Sequence, residues 1–151
     1  MRYRERLTVP GLWWVLGALF ALSLAAALGF YLGPWWALGT GLAATAAVVT
    51  TFWMAAVPIT VGDEAVRVGR AWIDIGYLSG ARALDAAETR RRAGPDADAR
   101  AYLVLRPYVP TAVEITLDDP DDPVPYWLVS SRRPRALAQA LNQAISSRVT
   151  R

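Results

Sequence analysis

The polarity pattern divides the chain in two. Between residues 7 and 62 no acidic or basic side chain occurs, and every formal charge lies in the first six residues or beyond Gly62. This uncharged run breaks once, at Gly33-Pro34. Such a step ends one helix and opens another, because proline needs no amide partner in a first turn. Residues 11–32 and 35–57 lie on either side. At 1.5 Å per residue each segment covers about 33 Å, enough for about 30 Å of hydrocarbon. The pattern predicts a helical hairpin over residues 11–57 that crosses a membrane twice. Aromatic side chains fall where its water interfaces belong: Trp13 and Trp14 with Trp53 at one boundary, Tyr31, Trp35 and Trp36 at the other. The start MRYRER has the charge of a signal-peptide n-region, but the first apolar stretch outruns an h-region and a second span follows directly.

Small residues recur at four-residue spacing on both segments: Ala21, Ala25, Gly29 and Gly33, then Gly39, Ala43, Ala47, Thr51 and Ala55. Ridges of this kind let backbones approach closely. They are expected to pack the two helices together, leaving a second ridge, Ala37, Gly41 and Thr45, for another membrane helix. With no ionisable group inside either span, the helices alone are not expected to carry a proton or ion pathway.

Beyond Pro58 the periodicity shortens. Residues 59–61 and 65–70 alternate as a half-buried hairpin, and residues 72–78, 82–92, 101–106, 111–117 and 126–130 read as further strands between Gly, Pro and Asp punctuation. Residues 82–92, rich in alanine, also suit a helix. Residues 132–147 form an amphipathic helix with Leu137, Leu141, Ala144 and Ile145 on one face, Ser131 as its cap and Pro134 in its first turn. The expected fold class is an α+β membrane protein: a basic arm over 1–10, the transmembrane hairpin, and over 58–151 a small antiparallel sheet or partial barrel closed by a C-terminal helix.

Charge adds orientation. Arg2, Arg4 and Arg6 precede the first span, Arg67 and Arg70 follow the second, and the connecting turn is uncharged. By the positive-inside rule both termini are cytoplasmic, in a multi-pass protein of the cell membrane. From Asp63 onward thirteen arginines face twelve acids, a net +1, so the basic pI is no sign of a nucleic-acid partner. The chain has no cysteine, histidine or lysine. That removes thiolate and imidazole chemistry, the usual zinc ligands and Schiff-base lysines, and leaves Ser130 and Ser131 without a histidine. A non-catalytic protein without cofactor is expected.

Three groups remain as candidate sites. The run DDPDDPVPYWLVSSRRP, residues 118–134, offers Asp118, Asp119, Asp121 and Asp122 as hard-cation ligands, but it lacks the glycine and distal glutamate of a calcium loop, and its prolines favour a turn. Arg90, Arg91 and Arg92, with Arg82, are candidates for contact with anionic headgroups. Trp72, Tyr126 and Trp127 are expected in the core rather than as interface anchors.

The order of strands and closing helix resembles pleckstrin-homology-like domains. Over the whole chain, YRERLTVPGLWW, ITVGDEAVRVGRA and DPDDPVPYWLVSSRRPRALAQAL resemble an uncharacterised actinobacterial family of alanine-rich two-span membrane proteins. That resemblance implies location and architecture and carries no catalytic residue. The functional expectation is a membrane-anchored interaction module held at the inner leaflet, binding lipid, a membrane or cytoplasmic protein, or a second copy of itself. The alternative is an accessory subunit of a larger membrane complex, joined through the small-residue ridges.

Overall fold

A computed structural model describes residues 3–149. Arg2, counted above among the orienting arginines, lies outside them. In chain order the elements are β1 (Tyr3–Leu7), α1 (Gly11–Leu32), α2 (Pro34–Ala55), β2 (Val57–Val61), β3 (Ala65–Val68), β4 (Ala71–Asp74), a 3-10 turn (Ile75–Tyr77), β5 (Leu78–Leu84), α3 (Ala86–Ala93), β6 (Tyr102–Val104), β7 (Ala112–Leu117), β8 (Tyr126–Ser130) and α4 (Pro134–Val149). They form two compact units. One is the segment Thr8–Val57; the other joins the chain before it to everything from Pro58 on.

In the first unit α1 and α2 pair along their length. Gly33 separates them with φ +98° and ψ 173°, a backbone region open to glycine alone, and its amide donates to the Gly29 carbonyl at 2.9 Å while Pro34 opens α2. A Cβ on Gly29 would lie 2.6 Å from that of Ala37, and one on Gly41 would lie 3.3 Å from that of Ala25. Toward the far end a Cβ on Gly17 would meet Val48, and Trp14 stands edge-on to Phe52. The α1 side of this seam, Ala21, Ala25 and Gly29, follows the expected ridge. The α2 side does not. Gly39, Ala43, Ala47 and Thr51 are exposed, and Ala37, Gly41 and Ala44 make the approach instead. Two small-residue stripes lie on neighbouring faces of α2, and spacing alone does not say which one meets α1.

The second unit holds two four-stranded sheets, in the orders β1-β2-β3-β4 and β5-β7-β8-β6. The expected basic arm is thus a strand. Its Leu7 is fully buried and its alternation (Tyr3, Glu5 and Leu7 inward, Arg4 and Arg6 outward) is that of a half-covered edge. Between β3 and β4 Gly69 takes φ +61° while Arg70 keeps a negative φ, the sign pattern of a type II′ hairpin turn. The second sheet is mixed: β6 runs parallel to β8, whereas an antiparallel sheet was expected. A parallel neighbour needs a long crossover, and β7 with its flanking loops supplies it. β8 is buried on both faces, which is why YWLVS reads as a continuous apolar run.

Residues 82–92, expected as a strand with a helical alternative, divide at Asp85. β5 ends at Leu84, and α3 opens with a full capping box: Asp85 Oδ1 accepts from the amides of Ala87 and Glu88 at 2.8 Å, and Glu88 Oε2 accepts from the Asp85 amide at 2.9 Å. Leu84, Ala112, Tyr126 and Leu128 form a buried cluster there, with Ala93, Ala101 and Leu105 against it. α4 packs on β5 and β7 through the expected apolar stripe, Leu137, Leu141 and Ala144. Asn142 clamps the exposed backbone of Ala81, its amide donating to the carbonyl at 2.9 Å and its oxygen accepting from the N–H at 3.0 Å.

Candidate functional site

The four arginines expected to face lipid lie on β5 and α3, and three of them are held by acids. Arg92 donates from Nε and Nη2 to the Glu114 carboxylate at 2.6 and 3.3 Å, and its guanidinium stacks 4.0 Å above the Tyr126 ring. Bidentate pairing and ring contact together hold the side chain against the sheet. The hydrogen bond to Glu114 raises the Arg92 pKa beyond its already high ordinary value. Arg91 pairs with Asp96 at 3.2 Å. Arg82 donates to Glu88 at 3.3 Å and lies 4.0 Å from Glu114. Arg90 alone of the four has no acid partner among the described residues. The arginine run is therefore largely neutralised, and its free positive charge is smaller than its sequence suggests.

Two of the four aspartates of residues 118–122 cap the local backbone. Asp119 Oδ1 accepts from the Asp121 amide and Asp122 Oδ1 from the Val124 amide, each at 3.0 Å. This is the turn chemistry that the prolines imply. Among the described residues no group of three or more acids is arranged to hold a metal ion. Asp98 is the most perturbed carboxylate: hydrogen bonds from the Arg100 side chain and amide hold it down to about 2.

Ser131 has a partner that the sequence does not reveal. Its hydroxyl donates to Glu5 Oε2 at 2.6 Å and accepts from the Arg133 amide at 3.1 Å, while Glu5 Oε1 accepts from the Arg132 amide at 2.9 Å. Tyr3 adds a bond from its hydroxyl to Glu5 Oε2 at 2.9 Å, and burial, then Glu5, pushes its phenol up to about 12. A serine 2.6 Å from a carboxylate is nucleophile-and-base geometry in outline. Here Ser131 is fully buried and its oxygen is already used twice, so the pair fastens β1 to the start of α4. Ser130, also fully buried, accepts from the Arg106 amide at 2.9 Å.

The aromatic expectations divide. Tyr126 and Trp127 are buried, but Trp72 is 65 % exposed, since it follows the β3–β4 turn on the outward face opposite Arg67. On the hairpin Trp13, Trp14, Tyr31, Trp35, Trp36 and Trp53 are all exposed. Both helices are long and apolar enough to span a membrane, and only 6 % of each apolar window is buried.

A family profile described as a protein of unknown function, DUF3093, matches residues 2–141. No curated protein and no solved structure matches the chain.

Proposed function

We propose, for a chain that belongs to the DUF3093 family of proteins of unknown function, that it is a membrane-anchored, non-catalytic interaction module whose sheet body is held at the cytoplasmic face of the cell membrane. The observation that carries this reading is the apolar hairpin. Two helices of 22 residues each are apolar throughout, yet only 6 % of each apolar window is buried by the chain itself. At about 25 cal/mol per Å² such an area is strongly unfavourable in water and neutral in hydrocarbon. A core helix of a soluble protein would be buried along this window.

Two further features support the orientation. β1 and β2 flank the hairpin in sequence and are neighbours in one sheet, so the chain leaves and returns on the same side of any bilayer that it crosses. Arg4, Arg6, Arg67 and Arg70 mark that side as cytoplasmic. Strands closed by a C-terminal helix support a pleckstrin-homology-like reading of the body; the parallel β6–β8 pair departs from it. Exposed Trp72 gives the body an aromatic contact point for a partner.

The accessory-subunit reading is favoured by one observation, the exposed ridge Gly39, Ala43, Ala47 and Thr51, which α1 leaves open to another membrane helix. Alkaline carbonate washing of membranes tests the anchor, which predicts retention in the pellet; release without detergent contradicts it. Purification in mild detergent then separates the readings. A multispan partner lost on Gly39→Leu and Ala43→Leu identifies an accessory subunit, and a partner lost on Trp72→Ala identifies the interaction module.

A further inference from the structure

Among the described residues two buried side-chain polar atoms lack any hydrogen-bond partner, Thr89 Oγ1 and Arg106 Nε. Both residues line the same pocket. It has a volume of about 280 Å³, lies between α3 and the loop after β6, and its remaining walls are Arg90, Ala93, Leu105, Pro107, Val109 and Pro110. Thr89 is only 6 % exposed. A buried donor without an acceptor is costly and uncommon, and two on residues of one pocket wall, each closed to water in the unliganded chain, are relieved together if their side chains turn toward one acceptor.

The chemistry of that acceptor follows from the lining. Arg90 and Arg106 bring two positive charges, neither paired with an acid among the described residues, and no carboxylate lines the pocket. The acids nearest on α3 are engaged elsewhere, Asp85 in the capping box and Glu88 with the Asp85 amide and Arg82. The pocket adjoins the C-terminal half of α3, whose dipole opposes an anion by about half a charge, well below the two guanidinium charges. The apolar walls select further. A dianionic phosphate loses much hydration in such a setting, whereas a monoanion with an apolar stem loses less and buries hydrocarbon in return. The volume lies just below the usual range for ligand cavities, which restricts the occupant to a small molecule.

We infer that this pocket binds a small carboxylate with an apolar stem, its oxygens accepting from Thr89 Oγ1 and the Arg106 guanidinium, with exposed Arg90 at the mouth. The site does not depend on the hairpin crossing a bilayer. A soluble organic acid and a fatty acid drawn from a membrane share this chemistry.

Calorimetric titration of the full chain in non-ionic detergent, against detergent blanks, tests the site with acetate, hexanoate, oleate and inorganic phosphate. Hexanoate binds saturably, at least about tenfold more tightly than acetate because of its longer stem, and more tightly than phosphate. Thr89→Val and Arg106→Gln each weaken hexanoate by about tenfold or more, the loss expected for a hydrogen bond to a charged group. Without ligand, Thr89→Val melts no lower than the parent, since it removes an orphaned hydroxyl at constant shape. Tighter binding of oleate than hexanoate assigns the carboxylate to a membrane source, and the reverse to a soluble one. Absence of saturable carboxylate binding, preference for phosphate, or affinity unchanged in Thr89→Val overturns the site; should Arg106→Gln fail to fold, Thr89→Val decides alone.

Discussion

At the scale of single residues, the body is held by a few polar contacts that reach far along the chain. Arg92 is the clearest. Glu114 retains only 14 % exposure of its side chain and accepts twice from Arg92, so Arg92→Gln strands a half-buried carboxylate. The loss expected is about 2 kcal/mol, the scale of a hydrogen bond to a charged group, read from denaturant midpoints. Asp85→Ala removes the oxygen that accepts both cap hydrogen bonds of α3 and costs about 1 kcal/mol by the same measurement. Tyr3 gives a pH signature. Its folded pKa of about 12 lies above the ordinary 10, so the folded state holds the phenolic proton after the unfolded chain has lost it. The contribution of Tyr3 is therefore complete below pH 10 and lost between about 10 and 12. Ultraviolet titration is expected to find Tyr3 ionising above pH 10, and earlier in Glu5→Gln. The long-range partnerships are not legible in sequence. Glu5 and Ser131 are 126 positions apart, and nothing local to either names the other.

At the scale of elements, short-range grammar is legible and long-range choice is not. The helix break at Gly33-Pro34, the alternation of β3, the acidic turn and the apolar stripe of α4 each follow from neighbouring residues, and each is found where the pattern puts it. The missed elements depend on partners. MRYRERL alternates, yet five residues ahead of a membrane-length apolar run read as a charged arm until β2 is there to pair with. The Asp85-x-x-Glu88 box is a local signal that could have divided residues 82–92 into strand and helix. The parallel direction of β6 is set by tertiary packing. On the hairpin, the choice between two small-residue stripes of α2 fell to packing on α1. That choice is testable. Gly29→Val places bulk where a Cβ would already be 2.6 Å from that of Ala37, and the hairpin is expected to lose several degrees of thermal stability in detergent. A Cβ on Gly39 would meet no neighbour within 4 Å, so Gly39→Val is expected to leave that temperature unchanged.

At the scale of the whole molecule, the chain inserts an apolar hairpin between two adjacent strands of a polar-surfaced body. This arrangement explains why the body is not a simple C-terminal piece: a chain beginning at residue 58 lacks β1, with its buried Leu7 and the Glu5 contacts to Ser131 and Arg132. The absence of cysteine from the sequence allows a direct test of the central claim, two crossings with the body inside. Single cysteines are introduced as Trp35→Cys, beside the inter-helix turn, and Gln139→Cys, on the exposed face of α4, and intact cells are treated with a membrane-impermeant maleimide. The account predicts labelling at residue 35 in intact cells and at residue 139 only after lysis. Labelling of residue 139 from outside, or protection of both until lysis, contradicts it.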